Sequence, residues 1–383
     1  MLYVDDKRQS TNLLRRRNAD LKTIKIVTII CWALVAFAMI GLAFWFLTGT
    51  LFGIGSDRWD SGRFGFITGW EILAGPFEIA GTYNADVYDI DSIDIDWVSG
   101  DVTVRPHDGD QIRVTEYAQR ELRGTEKFHV STSGDTLTIR FCEPGHIGRM
   151  PKKRLEVLIP RRLSESIDRL SVETVSGGID VDSMVTQTLK ADTVSGLVNI
   201  SEITSRTLGV NSTSGAITVT SVLAIDFEAG STSGAIQVFD SSARSIKCNN
   251  TSGSINISGA YGDVSAESLT GRIALDNSER RSISEANTSS GSLYLSGSFE
   301  RVEVGSLSGS ISVRSMIVPS TLKADNSSGS ITVIVPNEGE ITVFHSSVSG
   351  RFSSEVPVTM QDRGARFEFT TISGSTSIQE YME

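Results

Sequence analysis

Glu173 and Asp192 stand 19 positions apart at the same place in two consecutive copies of a repeat, with Asp180 between them. Carboxylates brought together on a folded surface are the minimum equipment for glycoside hydrolysis, one acting as acid and the other as base or nucleophile. Little else supports such chemistry. The four histidines, His107, His129, His146 and His345, share no short motif with a cysteine or with one another, so zinc-site spacing is absent. There is no nucleophile elbow, phosphate loop or HExxH motif, and the glycine-aspartate nonapeptide of calcium-binding β-rolls is missing. His345 falls in a column of inward residues and reads as a packed side chain. These observations predict no catalytic, metal or cofactor-binding residues and no enzyme activity. Carboxylates scattered over a solvated face are ordinary for a chain with net charge -11.

The elements that would position these side chains come from a repeat. An "SG" phrase places Gly177, Gly196, Gly215, Gly234, Gly253, Gly271, Gly291, Gly309, Gly329, Gly350 and Gly374 at spacings of 18 to 24 residues. Such a period is the signature of a solenoid, in which each coil buries its apolar face on its neighbours. Two and four residues after the markers stand aliphatic pairs such as Ile179 and Val181, Ile217 and Val219, and Ile331 and Val333, separated by polar Asp180, Thr218 and Thr332. Seven and five residues before them stand Leu189 and Ala191, Leu208 and Val210, Ile246 and Cys248, and Phe367 and Phe369. Period two with one apolar face specifies a half-buried strand. Three residues before the marker, the small polar column Thr174, Thr193, Ser212, Ser231, Asn250, Ser268, Thr288, Ser306, Asn326, Ser347 and Thr371 predicts hydrogen bonds around the corner or to the next coil. The marker glycines then read as structural turn residues. A coil this short has no room for a helix. The fold class is therefore all-β, a single-chain parallel β-solenoid of roughly 19-residue coils stacked about 4.8 Å apart.

The pattern weakens at both ends. Residues 86–169 read as irregular coils around Gly100 and Gly134, and 170–383 as the regular solenoid, closed by a C-terminal capping coil in "ARFEFTTISGSTSIQE". Residues 48–85 form a connector rich in glycine and aromatics. Residues 26–47, "IVTIICWALVAFAMIGLAFWFL", carry no charge and predict a transmembrane signal anchor, with the basic segment 1–25 as a cytoplasmic tail. On that reading the protein is a single-pass cell-membrane protein, in contact with lipid through residues 26–47, its C-terminal domain extracellular or extracytoplasmic. After residue 25 the chain holds 28 basic against 43 acidic residues, which excludes nucleic acid as a partner. Cys31 falls in the apolar span, and Cys142 and Cys248 are far apart, so cross-links are not expected to carry stability. Sugar grooves tend to expose rings, and the regular coils offer one outward candidate, Tyr294.

The segments "IDIDWVSGDVTV", "LEVLIP" and the ladder of "LKADTVSGLVNI" units resemble a bacterial family named for adhesion, built on a β-strand-repeat domain of unknown function and found in cell-envelope and envelope-stress-associated proteins. The resemblance spans roughly residues 86 to 380. It implies a β-helix-like solenoid at or outside the membrane, commonly in Gram-positive bacteria, and supplies no catalytic residues. The expected function is a non-catalytic, membrane-anchored extracytoplasmic scaffold or interaction domain, taking part in envelope-stress sensing through an envelope protein partner. The alternatives are an adhesin or glycan-binding module, with cell-wall or surface glycan as partner, and a polysaccharide-processing β-helix enzyme.

Overall fold

The computed structural model describes residues 76–144, 151–361 and 363–381. The alternating residues around each marker form parallel strands stacked in register, with bulges away from the markers at some levels, as between Val238 and Ser241. Val198–Ser214 pairs with Ile179–Ser195 along its whole length, from Val198 opposite Ile179 to Ser214 opposite Ser195. The next levels continue through Ile236–Ser252, Ile255–Thr270, Ile273–Ser290 and Leu293–Ser308. Inside, the aliphatic columns make one continuous core: Ile179, Val198, Ile217, Ile236, Ile255, Ile273, Leu293, Ile311 and Ile331 are all at most 1% exposed. Each such side chain contributes roughly 1.5–3 kcal/mol relative to exposure.

The stacked corner leaves no room for a Cβ. One built on Gly196 would stand 2.0 Å from the Gly177 carbonyl oxygen, and one on Gly215 would stand 1.8 Å from that of Gly196. Beside this corner the small polar column is mostly buried, and some of its members bond to the preceding level: Thr193, Asn250 and Asn326 donate to the carbonyls of Gly177, Gly234 and Gly309 at 3.2, 2.7 and 2.8 Å, whereas the hydroxyls of Thr174, Ser212, Ser231, Ser268 and Thr371 make no hydrogen bond. Each level also has a third inward stretch that the repeat did not disclose, represented by Met184, Ile203 and Val222. The chain bends into it through a left-handed residue, Ser183, Glu202, Ser221 or Asp240, with φ of 58, 53, 56 and 49°.

At both ends the spatial order departs from the order of the chain. The first coil, Ser92–Ser99 and Val102–His107, is held between Ile167–Ser176 and Ile179–Ser195 on one side and Thr136–Arg140 and Lys153–Pro160 on the other. Antiparallel strands then close that end: His129–Ser133 on Thr136–Arg140, Gln111–Ala118 on Lys153–Pro160, and Glu78–Asp86 on Gln111–Ala118. The expected irregular coil around Gly134 is in fact this hairpin turn, with Gly134 at φ 61°. The connector's last residues are a paired edge strand. The C-terminal coil is likewise not the cap. Ala365–Ser373 lies between Thr321–Ser328 and Ile341–Ser349, and Thr376–Glu380 lies between Ile331–Val335 and Phe352–Ser354. The markers therefore stack as Gly309, Gly329, Gly374, Gly350. The long spacings there reflect a chain that leaves one level vacant, caps the stack and returns to fill it.

The membrane expectations require correction. Among the described residues no helix is long and apolar enough to cross a membrane. The one α-helix there, Arg161–Ser164, is a single turn, against the ~20 residues a span requires. Segment 26–47 and the tail 1–25 lie outside the described residues. The fold of the described residues is accordingly the parallel β-solenoid, with no transmembrane helix among them. The single-pass localisation, the lipid contact through 26–47 and the membrane-anchored scaffold with its envelope protein partner are withdrawn with the helix on which they depended.

Candidate functional site

The strands place Glu173 directly opposite Asp192 on neighbouring levels, but the pair is not available for acid-base work. Lys190 inserts its ammonium between them, 2.7 Å from Glu173 and 2.8 Å from Asp192, and Asn211 donates to Asp192 at 2.9 Å. Asp192, then Glu173, hold the Lys190 ammonium well above the usual lysine range. Asp180 is taken by Arg105 at 2.7 Å. The same arrangement recurs where Lys323 meets Glu303 at 2.6 Å and Asp325 at 3.6 Å. These are neutralised surface ladders, whereas a general acid needs a carboxyl whose surroundings favour its proton.

The histidines do not converge. His107 closes a turn, accepting from the Gly109 N–H at Nδ1 and bonding the Gln111 carbonyl through Nε2. His129 begins an edge strand, His345 lies against Phe352 near the C-terminal cap with ring centroids 5.3 Å apart, and His146 is outside the described residues. Among the described residues no group of histidine, cysteine and carboxylate side chains could hold a metal ion. Cys142 and Cys248 are free thiols. Burial pushes the Cys248 thiol up to about 12, which makes it core filler rather than a nucleophile. Among the described residues none of these side chains forms an acid-base, nucleophilic or metal-binding arrangement.

What the strands do present is a ladder. The residue between the two inward positions after each marker points outward, and the register aligns Thr103, Asp180, Asn199, Thr218, Gln237, Asn256, Ala274, Tyr294, Ser312, Thr332, Ser377 and Ser353 in one column, with one side chain per level. Most are half-buried; Asn199, Tyr294 and Ser353 are exposed. Apart from Asp180, Ala274 and Tyr294 they are uncharged, with both donor and acceptor capacity. At the Gly100, Gly177 and Gly196 levels the column borders a shallow groove lined by Asp101, Thr103, Lys152, Asp180, Leu197 and Asn199. Leu197, 59% exposed, gives this groove an apolar wall. Asp101 is fixed by accepting from the Gly178 N–H at 3.0 Å.

A second polar assembly was not visible in the repeat because it belongs to the N-terminal cap. Lys153 and Glu116, both fully buried, meet at 2.7 Å. Lys153 also donates to the carbonyls of Glu126, at 2.7 Å, and Phe141, and its ammonium lies 3.8 Å from the Phe141 ring centroid. Glu116 in turn accepts from the Phe128 N–H at 3.0 Å. Burial pushes the Glu116 carboxyl up and the Lys153 ammonium down, and each opposes the other's shift. With every Lys153 hydrogen directed at an acceptor, this is a structural clamp. Glu126, gripped by two bonds of 2.9 Å from Arg120 and one from the Arg123 N–H, is drawn down to about 2, chiefly by Arg120.

The family model described as toastrack DUF4097 matches residues 90–296 and 226–371. No curated protein matches the chain. Among solved structures, a "putative adhesin" from Parabacteroides distasonis shares 15% identity over 79% of this chain and 97% of its own, with TM-score 0.37. Another so named from Parabacteroides merdae shares 11% over 78% and 95%, with TM-score 0.35. A "putative lipid binding protein" from Parabacteroides distasonis shares 16% over 78% and 96%, with TM-score 0.32. The family match takes in the first coil at Ser92–Ser99 and the outward ladder from Thr103 through Thr332, and on it the chain belongs to the toastrack DUF4097 family.

Proposed function

We propose that the chain is a non-catalytic binding module of adhesin type that holds an extended, hydroxyl-rich polymer, a cell-wall or surface glycan, along its outward polar ladder. The observation that carries this reading is the register. From Asn199 to Asn256 donor and acceptor side chains recur once per level on one outward face, at about the 4.8 Å strand spacing. A repeating chain laid along that face would meet the same chemistry at successive levels. Short Thr, Ser and Asn side chains lose less rotamer freedom on binding than long ones such as Gln or Lys, and backbone pairing holds their spacing. The groove beside Leu197 supports an anchored end, with an apolar wall for a sugar-ring face and Asn199 and Thr103 for its hydroxyls.

The test is binding of the purified full chain to an array of cell-wall and surface glycans. Asn199→Ala and Gln237→Ala should each weaken retention by severalfold, and the double variant more than either. Retention unaltered by both changes, or no glycan retained at all, would remove the reading.

A further inference from the structure

We propose that two copies of the chain associate through their C-terminal ends, the strand Ile341–Ser349 of one copy pairing antiparallel with the same strand of the other about a two-fold axis at Ser346. This strand has Ala365–Ser373 on its inner side, in continuous register from Ile341 to Ser347. On its outer side Val358 and Thr359 cover only Ile341 and Thr342. From Val343 onward no strand among the described residues is paired to that edge. Exposed edges are ordinarily blunted by charge, proline or a bulge. At the other end Glu78–Asp86 carries an acidic residue at each terminus and an irregularity between Ile79 and Gly81. The segment "ITVFHSSVSG", residues 341–350, has no charged residue and no proline.

The occupant follows from the edge's own pattern. Phe344 and Val348, 40% and 82% exposed, project from the same outward face. An antiparallel pairing centred on Ser346 sets Phe344 of each copy opposite Val348 of the other, so one register makes two aromatic and β-branched pairs, a favourable cross-strand combination. The backbone alternation agrees. Glu340 gives its carbonyl to the Ala365 N–H, so the even-numbered residues face inward and the groups of Val343, His345 and Ser347 face the open side. His345 would then exchange hydrogen bonds with Ser347 of the second copy. The Phe344 and Val348 pairs would fall at the closer, non-hydrogen-bonded positions. Arg366 backs one face of the Phe344 ring from the level beneath, 4.4 Å from its centroid. Two such surfaces are self-complementary, as a two-fold interface requires. The result is a pair of stacks joined cap to cap, each presenting its own ladder.

Sedimentation velocity of the full chain across the micromolar range, with parent, Val348→Glu and Ser346→Cys proteins, tests this. The expected result is a dimer in the parent and about tenfold weaker association in Val348→Glu, with an unchanged thermal transition because that side chain is exposed. Mild oxidation of Ser346→Cys should give a dimer linked through residue 346, whose paired Cα atoms would stand ~4.5 Å apart. Ser312→Cys, on the lateral face, should not be linked. A monomeric parent, a dimer indifferent to Val348→Glu, or a dimer without the 346 cross-link would each overturn the proposal.

Discussion

The two ends of the stack solve one problem with different chemistry. Each tucks one coil a level inward and lays other strands over it: Thr136–Arg140 and Lys153–Pro160 over the first coil, Ile341–Ser349 and Phe352–Ser354 over the last. A coil held between two strands cannot fray as an edge coil does. Beyond that they diverge. The N-terminal cap is antiparallel and holds a buried ion pair and a carboxylate clamped by Arg120. The C-terminal cap is parallel and apolar, its Phe352 and Val356 joining the core with Phe367 and Phe369 of the level beneath, and it ends in an open edge. The lesson is that stacking alone does not finish a solenoid, and that the finishing device sets what each end responds to: protons at one, another strand at the other.

The largest expected effect that separates the ends is at Lys153. Lys153→Met leaves Glu116 buried without its cation and should cost about 3–5 kcal/mol in denaturant unfolding. Adding Glu116→Leu should recover most of that loss, because the pair as a whole offsets little more than its own desolvation. Beneath the C-terminal cap Phe369→Ala should cost a similar ~3–5 kcal/mol through a cavity, with no polar partner whose removal restores it. Failure of the double variant to recover would equate the two caps and break the contrast.

Between the caps, Gly215→Ala should cost about 3 kcal/mol by overpacking against the Gly196 carbonyl. Gly209, whose added Cβ meets nothing within 4 Å, should accept alanine within about 0.5 kcal/mol. Equal effects at both would mean that the corner is not stacked as described.

A pH scan sharpens the comparison further. The folded-state carboxyl of Glu126 sits at about 2, below the ordinary carboxylate value. Its contribution is therefore present above the unfolded value near 4.5 and is lost as pH falls toward 2. Hydrogen exchange should show the N-terminal cap loosening in that window before the C-terminal cap does, and Glu126→Gln should abolish the difference. The smallest effect is at the second corner. Ser221, at φ 56°, is strained by roughly 1 kcal/mol, so Ser221→Gly should be neutral or slightly stabilising by thermal unfolding.

The ladder was readable because three periodic columns, marker glycine, small polar residue and aliphatic pair, each repeat in residue type. The third inward stretch was not, since its single inward position changes from Met184 through Ile203 and Val222 to the polar Ser241, so no one residue type marks it. Lys153 hid in the basic run Lys152, Lys153, Arg154, where nothing local says that one of three cations is buried. The order of levels at the C-terminus was illegible for a different reason. The coils at Gly350 and Gly374 both match the repeat, and which of them stacks on Gly329 depends on how the connections at 336–340 and 355–364 pass over the end. The outward column was read as polar, but its continuity across twelve levels follows from the register and not from composition.

The central claim is that the C-terminal coil fills the level beneath the cap, and paired cysteines test it most directly. Ser377 lies beside Thr332, its hydroxyl 3.5 Å from that of the threonine, while Ser353 is one level further out. Under mild oxidation Thr332→Cys with Ser377→Cys should form an intramolecular disulfide, identified as a linked peptide by mass spectrometry, and Thr332→Cys with Ser353→Cys should not. The reverse pattern would mean that the coils stack in chain order and would contradict the account.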